Sequence, residues 1–301
     1  MIVVIGEILI DMFKDYHRIG GAPFNFAFHL KHMGFPVRFL TRVGDDQNGR
    51  RIIGMLKECG FSEADIQIDS RFPTGTVHVD LDGDGVPQFD IIENVEYDHL
   101  DLDIGRIEDA GPTGMIYYGT LVQRTDSGFR QVQRFLDRQG SAATCFCDIN
   151  MRPPHVNAQA VAGSLLHADL LKLNEAELAE ILRAFEGPAT AGEGIGWLMD
   201  KFEVSTLALT RGERGSTLYR RHHEISRPAM PGTGIIDTVG AGDGYAAILA
   251  AGYLRNIPWA ETIEQASRFA SRICGIPGAV PDDQMFYDDF RPSMKGQPNG
   301  R

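Results

Sequence analysis

Cysteine is scarce in this chain, with four residues in 301. So few cysteines over this length do not make the disulfide framework of a small secreted scaffold. Cys145 and Cys147 stand two positions apart, which places both on one face of a predicted strand. We interpret them as packing residues of a cytoplasmic protein.

Long apolar runs and basic charge are also lacking. The longest apolar stretch, residues 245–254, contains Gly252 and falls far short of the roughly 20 residues that cross a bilayer. The N-terminus has no basic leader and starts with Ile2-Val3-Val4-Ile5, which is typical of a buried strand. Lysine and arginine number 29 against 41 acidic residues, a net charge of −12. Such a surface repels nucleic-acid phosphates, so the sequence predicts neither a membrane nor a nucleic-acid partner.

Several catalytic motifs are missing. No Gly-Lys dipeptide occurs, which excludes a Walker A phosphate loop. The HExxH, GxSxG and paired CxxC patterns are absent too, which excludes zincins, α/β-hydrolases and the commonest zinc modules.

What the sequence does contain is an alternation of β-rich and helical patterns. The predicted strands are residues 2–10, 37–43, 114–118, 144–149, 168–173, 206–210 and 216–220. The predicted helices are residues 24–33, 49–59, 127–139, 175–185, 194–202, 242–254 and 259–274. This order indicates βαβ crossovers, and therefore one α/β domain over residues 1–301 with a mostly parallel sheet covered on both faces.

Two stretches, residues 11–21 and 72–98, interrupt the alternation. The second alternates apolar and polar side chains around Asp82-Gly83-Asp84-Gly85, which predicts a β-hairpin. We interpret both stretches as strands of a small β lid over an active site. The turn matches the first half of an EF-hand loop, but Ile91 stands where the bidentate glutamate would be, which disfavours calcium. Residues 292–301 are rich in Pro and Gly and are predicted to be a frayed tail.

The most informative segment is Asp237-Thr238-Val239-Gly240-Ala241-Gly242-Asp243, directly before an apolar helix. Small residues at a helix start bring several N–H groups to one point, and such a site attracts anions. Asp243 either complements the helix dipole or takes a proton from a hydroxyl that attacks a phosphoryl group held there. Residues 242–247 also fit a loose GxGxxA dinucleotide pattern, so a nicotinamide oxidoreductase is a further hypothesis.

A second glycine-rich segment, Gly20-Gly21-Ala22-Pro23-Phe24-Asn25, precedes another apolar helix. It is either a simple turn with proline near the first helical position, or a place where paired glycines let a ligand approach the backbone. In the second interpretation Asn25 offers both a donor and an acceptor, and Asp11 lies nearby at the end of the first predicted strand. Because ligands bind beyond the carboxyl ends of parallel strands, this pair suits a polyhydroxylated ligand such as a sugar.

Three further strand ends carry polar residues. Asn174, with Glu177 three positions later, has the pattern of a capping box, which is its simplest interpretation. Residues 210–216 form a glycine-bearing link that predicts a hairpin turn between two strands. Arg152, in Asp148-Ile149-Asn150-Met151-Arg152, is either a cation in the cleft or an ordinary surface residue.

Together, Gly20-Gly21-x-x-x-Asn25 and Asp237-Thr238-x-Gly240-Ala241-Gly242-Asp243 resemble the two signature regions of the ribokinase-like (phosphofructokinase-B type) carbohydrate kinases. The resemblance covers nearly the whole chain, because Gly6-Glu7-x-x-x-Asp11, Asn174-x-x-Glu177 and Thr210-x-Gly212-x-x-Gly215 follow in the family's order. It implies a three-layer α/β/α fold with a mostly parallel central sheet and a small β lid, and an ATP-dependent sugar kinase that uses Mg²⁺.

The resemblance also implies roles for individual residues. Asp243 is similar to the catalytic base, and Gly240, Ala241 and Gly242 are similar to an anion hole facing the transferred phosphoryl group. The residues that resemble sugar contacts are Asp11, Gly20, Gly21, Asn25 and Arg152. Those that resemble the nucleotide site are Asn174, Thr210, Gly212, Gly215 and Gly278, with Ala279. Glu177, with Asn174, is similar to a residue that organises Mg²⁺ through water, and Asp237 to part of a monovalent-cation (K⁺) site.

Three further segments bear on which sugar is the substrate. Residues 73–77, residues 118–121 and Asp148-x-Asn150-x-Arg152 look most like bacterial fructokinases, which favours fructose. The last element is shared with 2-keto-3-deoxygluconate kinases, where Arg152 would hold the acid group. That kinase, or another sugar or nucleoside kinase of the family, is therefore the alternative, and a sugar-binding protein without catalysis is the remote one. The exposed edges of the lid predict a homodimer through the lid.

Overall fold

The computed structural model describes residues 1–81, 87–102, 112–221, 223–230 and 234–291. The predicted turn at residues 82–85, with its comparison to a calcium loop, and the predicted tail at residues 292–301 lie outside these residues. Within the described part of the chain, no helix combines the length and the apolar character that crossing a membrane requires.

Thirteen strands and eight α-helices occur in the described residues. The strands are β1 (Ile2–Ile5), β2 (Leu9–Met12), β3 (His17–Gly20), β4 (Val37–Gly44), β5 (Ile66–Asp69), β6 (Thr76–Leu81), β7 (Pro87–Ile91), β8 (Met115–Tyr118), β9 (Thr144–Asp148), β10 (Leu170–Asn174), β11 (Thr206–Thr210), β12 (Ser216–Arg220) and β13 (His223–Arg227). The helices are α1 (Ala22–His32), α2 (Gln47–Glu58), α3 (Asp126–Gln139), α4 (Ala158–Leu166), α5 (Glu175–Ala184), α6 (Ala191–Lys201), α7 (Ala241–Leu254) and α8 (Trp259–Ile273).

Nine of these strands form the main sheet, in the order β13-β12-β11-β10-β9-β8-β1-β4-β5. Every neighbouring pair in the run β11-β10-β9-β8-β1-β4-β5 is parallel. The two remaining pairs of this sheet, β11 with β12 and β12 with β13, are antiparallel. The mostly parallel sheet is therefore confirmed. The glycine-bearing link at residues 210–216 joins β11 to β12 as the predicted hairpin turn.

Helices cover both faces of this sheet, as predicted. Ile2 and Val4 of β1 pack in one core with α1, α2, α7 and α8, whereas Val3 and Ile5 pack in a second core with α3, α4, α5 and α6. Because successive side chains of a strand point to opposite faces, a strand that is apolar at every position requires a core on each side. Cys145 and Cys147 are buried in the second core as free cysteines, which confirms that they are packing residues.

The prediction of one strand over residues 2–10 was wrong. The chain leaves the main sheet after β1, and β2 joins a separate sheet of order β3-β2-β6-β7, which we call the lid sheet. The break falls at Gly6, whose φ of +156° and close contact with the Pro23 ring leave no room for a side chain. Asp11 consequently lies within a lid strand, not at the end of the first strand.

Residues 11–21 and 72–98 do supply lid strands, but the sheet has four strands with β2 at its centre. Three elements of the main layers were not predicted: α4, β5 and β13. Strand β5 has four residues and β13 is mostly polar and exposed, so neither carries a strong apolar pattern.

Candidate active site

The glycine-rich turn before α7 forms the centre of the site. Gly240 adopts a left-handed φ of +77° as the N-cap residue, and a Cβ there would overlap Ala279. No side chain caps the helix, and the Ala241 N–H donates to the Thr238 carbonyl at 3.3 Å, so the Gly242 and Asp243 N–H groups are the first-turn donors left without a partner among the described residues. The turn therefore has the small residues, the donors and the dipole of an anion-binding site.

Asp243 lies in this first turn and is only 8% exposed. Its Oδ2 accepts a hydrogen bond of 2.8 Å from the side-chain amide of Asn25 on α1, so the two signature segments meet here. Burial, and the nearby charge of Asp148, raise the pKa of Asp243 above its usual value, although Lys172 and Asn25 oppose the shift. A raised pKa makes the carboxylate a better proton acceptor than a free aspartate.

Asn25 retains a buried atom with no bonding partner. Its Oδ1 is inaccessible and accepts no hydrogen bond from the described residues. A buried amide oxygen without a partner costs free energy, so it marks a place where a ligand hydroxyl can donate.

Two buried carboxyl groups lie at the entry to the lid sheet, Glu7 just before β2 and Asp11 within it. Asp11 Oδ2 lies so close to Gly20 that a Cβ on Gly20 would come within 2.2 Å of it. Burial raises the pKa of Asp11 to about 6 and that of Glu7 to about 7, and in both cases Arg152 acts in the opposite direction. The charge of the exposed Arg152 lowers the pKa values of Glu7, Asp11 and Asp243, which favours the cleft side over an ordinary surface position.

Asn174 and Glu177 form the predicted capping box at the start of α5. The Asn174 side chain accepts from the Glu177 N–H at 2.9 Å, and Glu177 Oε2 accepts from the Asn174 N–H at 2.7 Å. Glu177 Oε1 also accepts from the Met151 N–H at 3.0 Å, which ties the helix start to the loop that carries Arg152. With a backbone donor on each oxygen, Glu177 suits a metal held through water better than one bound directly.

A cavity of about 660 Å³ opens beside the anion-binding turn. Its lining includes three residues assigned to the nucleotide by the sequence, Thr210, Gly212 and Gly215, and two from the turn, Ala241 and Gly242. Asn174 and Gly278 are not among its lining residues. Gly278 instead donates its N–H to Asp237 Oδ2 at 3.1 Å, while Asp237 Oδ1 accepts from the Val239 N–H at 3.0 Å. Asp237 therefore joins the turn to the segment that carries Gly278 and Ala279.

Lys172 escaped the sequence analysis, and its partner Asp148 was named there only as part of the element that ends at Arg152. Lys172 Nζ lies 3.0 Å from both carboxylate oxygens of Asp148, behind Gly242. The signal that would have found the lysine is its position within an otherwise apolar strand, Leu170-Leu171-Lys172-Leu173. A charge in a buried strand is rare unless it is paired or functional.

Comparison with known proteins agrees with this geometry. The model of the pfkB family of carbohydrate kinases matches residues 1–284. Fructokinase-2 of Zea mays is 25% identical over 313 residues, which covers 93% of this chain and 90% of the maize protein. Among solved structures, a sugar kinase of Pyrococcus horikoshii in complex with ATP has a TM-score of 0.82 at 22% identity and covers 98% of this chain and 99% of that one. An Escherichia coli chain solved with ATP and Mg²⁺ has a TM-score of 0.81 at 18% identity and covers 97% and 99%.

The three-layer fold, the lid sheet and the two signature segments thus define a ribokinase-like kinase. The chain belongs to the pfkB family of carbohydrate kinases. The resemblance drawn from the sequence is confirmed, and the family match gives no support to a nicotinamide oxidoreductase.

Proposed function

We propose that this carbohydrate kinase transfers the γ-phosphoryl group of ATP, bound with Mg²⁺, to a hydroxyl of fructose. The observation that carries the proposal is the position of Asp243, in the first turn of the anion-binding helix and hydrogen-bonded to Asn25. A carboxylate beside an anion hole can face an incoming hydroxyl while the phosphoryl group occupies the hole. The choice of ATP and Mg²⁺ is supported by two structurally similar kinases, both of which were solved with ATP and one of them also with Mg²⁺.

Asp243 acts as the base for the sugar hydroxyl in this proposal. Phosphoryl transfer proceeds through a loose transition state in most analyses, so orientation of the hydroxyl contributes more than basic strength. The amide of Asn25 fixes Asp243, and its free Oδ1 accepts from a sugar hydroxyl. The turn of Gly240, Ala241 and Gly242 receives the phosphoryl oxygens, and the Gly242 N–H, which has no backbone partner among the described residues, donates to them.

ATP occupies the cavity beside Thr210, Gly212 and Gly215. Magnesium would supply charge compensation for the phosphates, and Glu177 would hold it through water. A monovalent cation would stand next to Asp237, whose two carboxylate oxygens already order the turn and the segment at Gly278.

The charge around the sugar position favours a neutral substrate. Arg152 is the cation that a sugar acid would need, but its charge already acts on the carboxyl groups of Glu7, Asp11 and Asp243, whose pKa values it lowers. A carboxylate ligand would have to compete with these groups for one guanidinium, whereas a neutral ketose offers hydroxyls to all of them. Maize fructokinase-2 is a relative of matching specificity. A 2-keto-3-deoxygluconate kinase is the second candidate, supported by the same arginine.

A coupled assay of ADP release tests the proposal directly. Fructose, ribose, 2-keto-3-deoxygluconate and adenosine are compared at equal concentration with MgATP. We expect the highest kcat/KM with fructose, and the Arg152→Met variant should retain most of it. If the wild type prefers 2-keto-3-deoxygluconate and Arg152→Met loses that preference, the protein is the second candidate, a 2-keto-3-deoxygluconate kinase. Sugar binding without ADP release would instead favour the non-catalytic alternative.

A homodimer through the lid sheet belongs to the same proposal. Strands β3 and β7 are the edges of the lid sheet, and an edge strand exposes unpaired N–H and C=O groups that a second copy can cover. We expect light scattering at micromolar protein to give twice the 33.2 kDa chain mass. A monomeric mass at that concentration would contradict the dimer but leave the kinase assignment intact.

A further inference from the structure

One histidine of α1 lies in the aromatic core behind the site. His29 is fully buried and packs edge-on against Phe269 of α8, with the two ring centroids 5.0 Å apart. Its Nδ1 lies 2.8 Å from the hydroxyl of Tyr287. Burial lowers the pKa of His29 to about 3, so at neutral pH the ring is uncharged and has one N–H donor and one acceptor. Such a ring costs free energy in a core unless both nitrogens have partners.

The second ring nitrogen faces the segment that carries Ala279. His29 Nε2 is buried without a partner of good hydrogen-bond geometry among the described residues. The Ala279 backbone nevertheless opposes the effect of burial and raises the pKa of His29, as a carbonyl acceptor does. Because Tyr287 occupies Nδ1, we assign the Ala279 carbonyl to Nε2. One arrangement satisfies all three groups: the Tyr287 hydroxyl donates to Nδ1, and the Nε2–H is directed at the Ala279 carbonyl.

Both neighbours of His29 touch the first turn of α7. A Cβ on Gly240 would come within 2.5 Å of the Ala279 Cα, so the segment of Ala279 lies directly against the start of the turn. A Cβ on Gly244 would come within 2.9 Å of the Phe269 ring, so α8 packs closely against the other end of the turn. His29 therefore contacts the two elements that support the anion-binding turn.

The helix that carries His29 also carries Asn25, one turn earlier. Side chains four positions apart lie on the same face of a helix. That face of α1 thus binds Asp243 directly, through the Asn25 amide at 2.8 Å, and reaches the support of the turn through His29. A leucine would fill the space of the imidazole, but it could not donate to a carbonyl. Packing alone therefore gives no reason for a histidine at this position.

We propose that His29 is a positioning residue for phosphoryl transfer, which holds Ala279 against Gly240 and thereby directs the free N–H groups of the turn. This inference rests on the proposed function. His29 is not among the residues that line the cavity beside the turn, so it acts through Ala279 and not by contact with a substrate. Displacement of a binding group by about 1 Å can cost about 100-fold in rate. Loss of His29 should consequently affect the transferred phosphoryl group more than the rest of the nucleotide.

The test compares His29→Leu, which keeps an apolar side chain of similar size, with His29→Gln, whose amide can still donate to Ala279. Calorimetry measures the Kd of ADP and of a non-hydrolysable imido analogue of ATP, both with Mg²⁺. In His29→Leu we expect the Kd of the analogue to rise about tenfold, the effect of one hydrogen bond, and that of ADP to change less than about threefold. Turnover should fall about 10- to 100-fold at a nearly constant KM for fructose. His29→Gln should restore the Kd of the analogue and kcat.

His32→Leu is the matched control. His32 lies on the same helix and stacks on the Tyr287 ring with a centroid distance of 5.5 Å, but its Nδ1 is 2.9 Å from the Phe28 carbonyl. We expect both Kd values and kcat to remain those of the wild type. Changes equal to those of His29→Leu would mean that any loss from this aromatic cluster disturbs the turn, and would overturn the proposal.

Two further outcomes keep the test decisive. If His29→Leu is unfolded, His29→Asn replaces it, because its oxygen still accepts from Tyr287 while the shorter side chain does not reach Ala279. Equal changes in the Kd of ADP and of the analogue, or no recovery in a folded His29→Gln, would show that His29 is only structural. Absence of ADP release with every sugar in the wild type would instead overturn the proposed function, and the two Kd values would still report on His29.

Discussion

The two sides of the candidate site, the turn before α7 and the region around Asp11, use different chemical groups. The side that we propose for phosphate is built mainly from glycines and backbone N–H groups at the start of α7, with no side-chain cap. The side that we propose for the sugar contains two carboxyl groups, Glu7 and Asp11, whose pKa values are raised by burial. Backbone donors cannot titrate, whereas buried carboxyls near neutrality do. Phosphate binding should therefore depend less on pH, and more on backbone geometry, than sugar binding does.

Asp243 stands where the two sides meet, and its loss should have the largest effect. We expect Asp243→Asn to lower kcat by about 10²–10⁴-fold, the usual contribution of a general base, because the amide cannot accept the hydroxyl proton. The amide retains a hydrogen-bonding oxygen toward Asn25, so the thermal midpoint and the Kd of fructose should change little. Steady-state kinetics and calorimetry measure these quantities. Near-normal turnover would remove Asp243 from the mechanism.

Gly240→Ala tests the backbone side of the comparison. The left-handed φ of +77° costs a residue with a Cβ about 1–2 kcal/mol, and contact with Ala279 adds to that cost. We expect weaker ATP binding and a lower thermal midpoint, with the same loss at pH 6 and pH 8. Gly192→Ala, at a helical position with open space around it, is the matched control and should be neutral. If Gly240→Ala and Gly192→Ala lose ATP affinity and thermal stability equally, the turn has no special requirement for glycine.

Asp11 tests the sugar side. Its carboxyl gains a proton as pH falls through about 6, so an acceptor for sugar hydroxyls is lost below that value. We expect KM for fructose to rise about tenfold between pH 7 and pH 5, with the KM for ATP nearly constant. Asp11→Asn should raise KM at all pH values and flatten the profile, whereas Glu7→Gln should keep the change near pH 6. An unchanged profile in Asp11→Asn would show that another group titrates.

The local structure of the glycine-rich turn was easier to predict from the sequence than the surroundings of Asp11, for a physical reason. A tight turn before a helix needs small residues at adjacent positions, so residues 240–243 can be recognised in the sequence as one local motif. The sugar side is assembled from the lid, α1 and the loop at Arg152, and sequence spacing does not report such proximity. The break at Gly6 was missed because an apolar run continues across it. Lys172 was missed because its partner lies on another strand.

Glu96 lies between the lid and the body and gives the smallest expected effect. It is fully buried, and neither carboxylate oxygen has a partner of good hydrogen-bond geometry among the described residues, although the backbone N–H groups of Gly75 and Tyr97 lie near enough to oppose part of the pKa shift. Burial raises its pKa to about 9, so the folded protein keeps this carboxyl protonated at neutral pH while the unfolded chain ionises it near 4.5. Stability is therefore lost as pH rises between these two values. Glu96→Gln should match the wild type at pH 5 and have the higher thermal midpoint at pH 8.

The control for this prediction is Glu224→Gln, on the exposed edge strand β13, which should shift the thermal midpoint equally little at both pH values. Kinetic constants for fructose should remain unchanged in Glu96→Gln, because this carboxyl contributes to the packing beneath the lid and not to the substrate. A midpoint difference that does not grow with pH would mean that Glu96 is ionised in the folded protein. The folded protein would then hold a carboxylate charge beneath the lid. Such a charge is costly there, because the neighbouring Val95 and Tyr97 belong to a hydrophobic cluster.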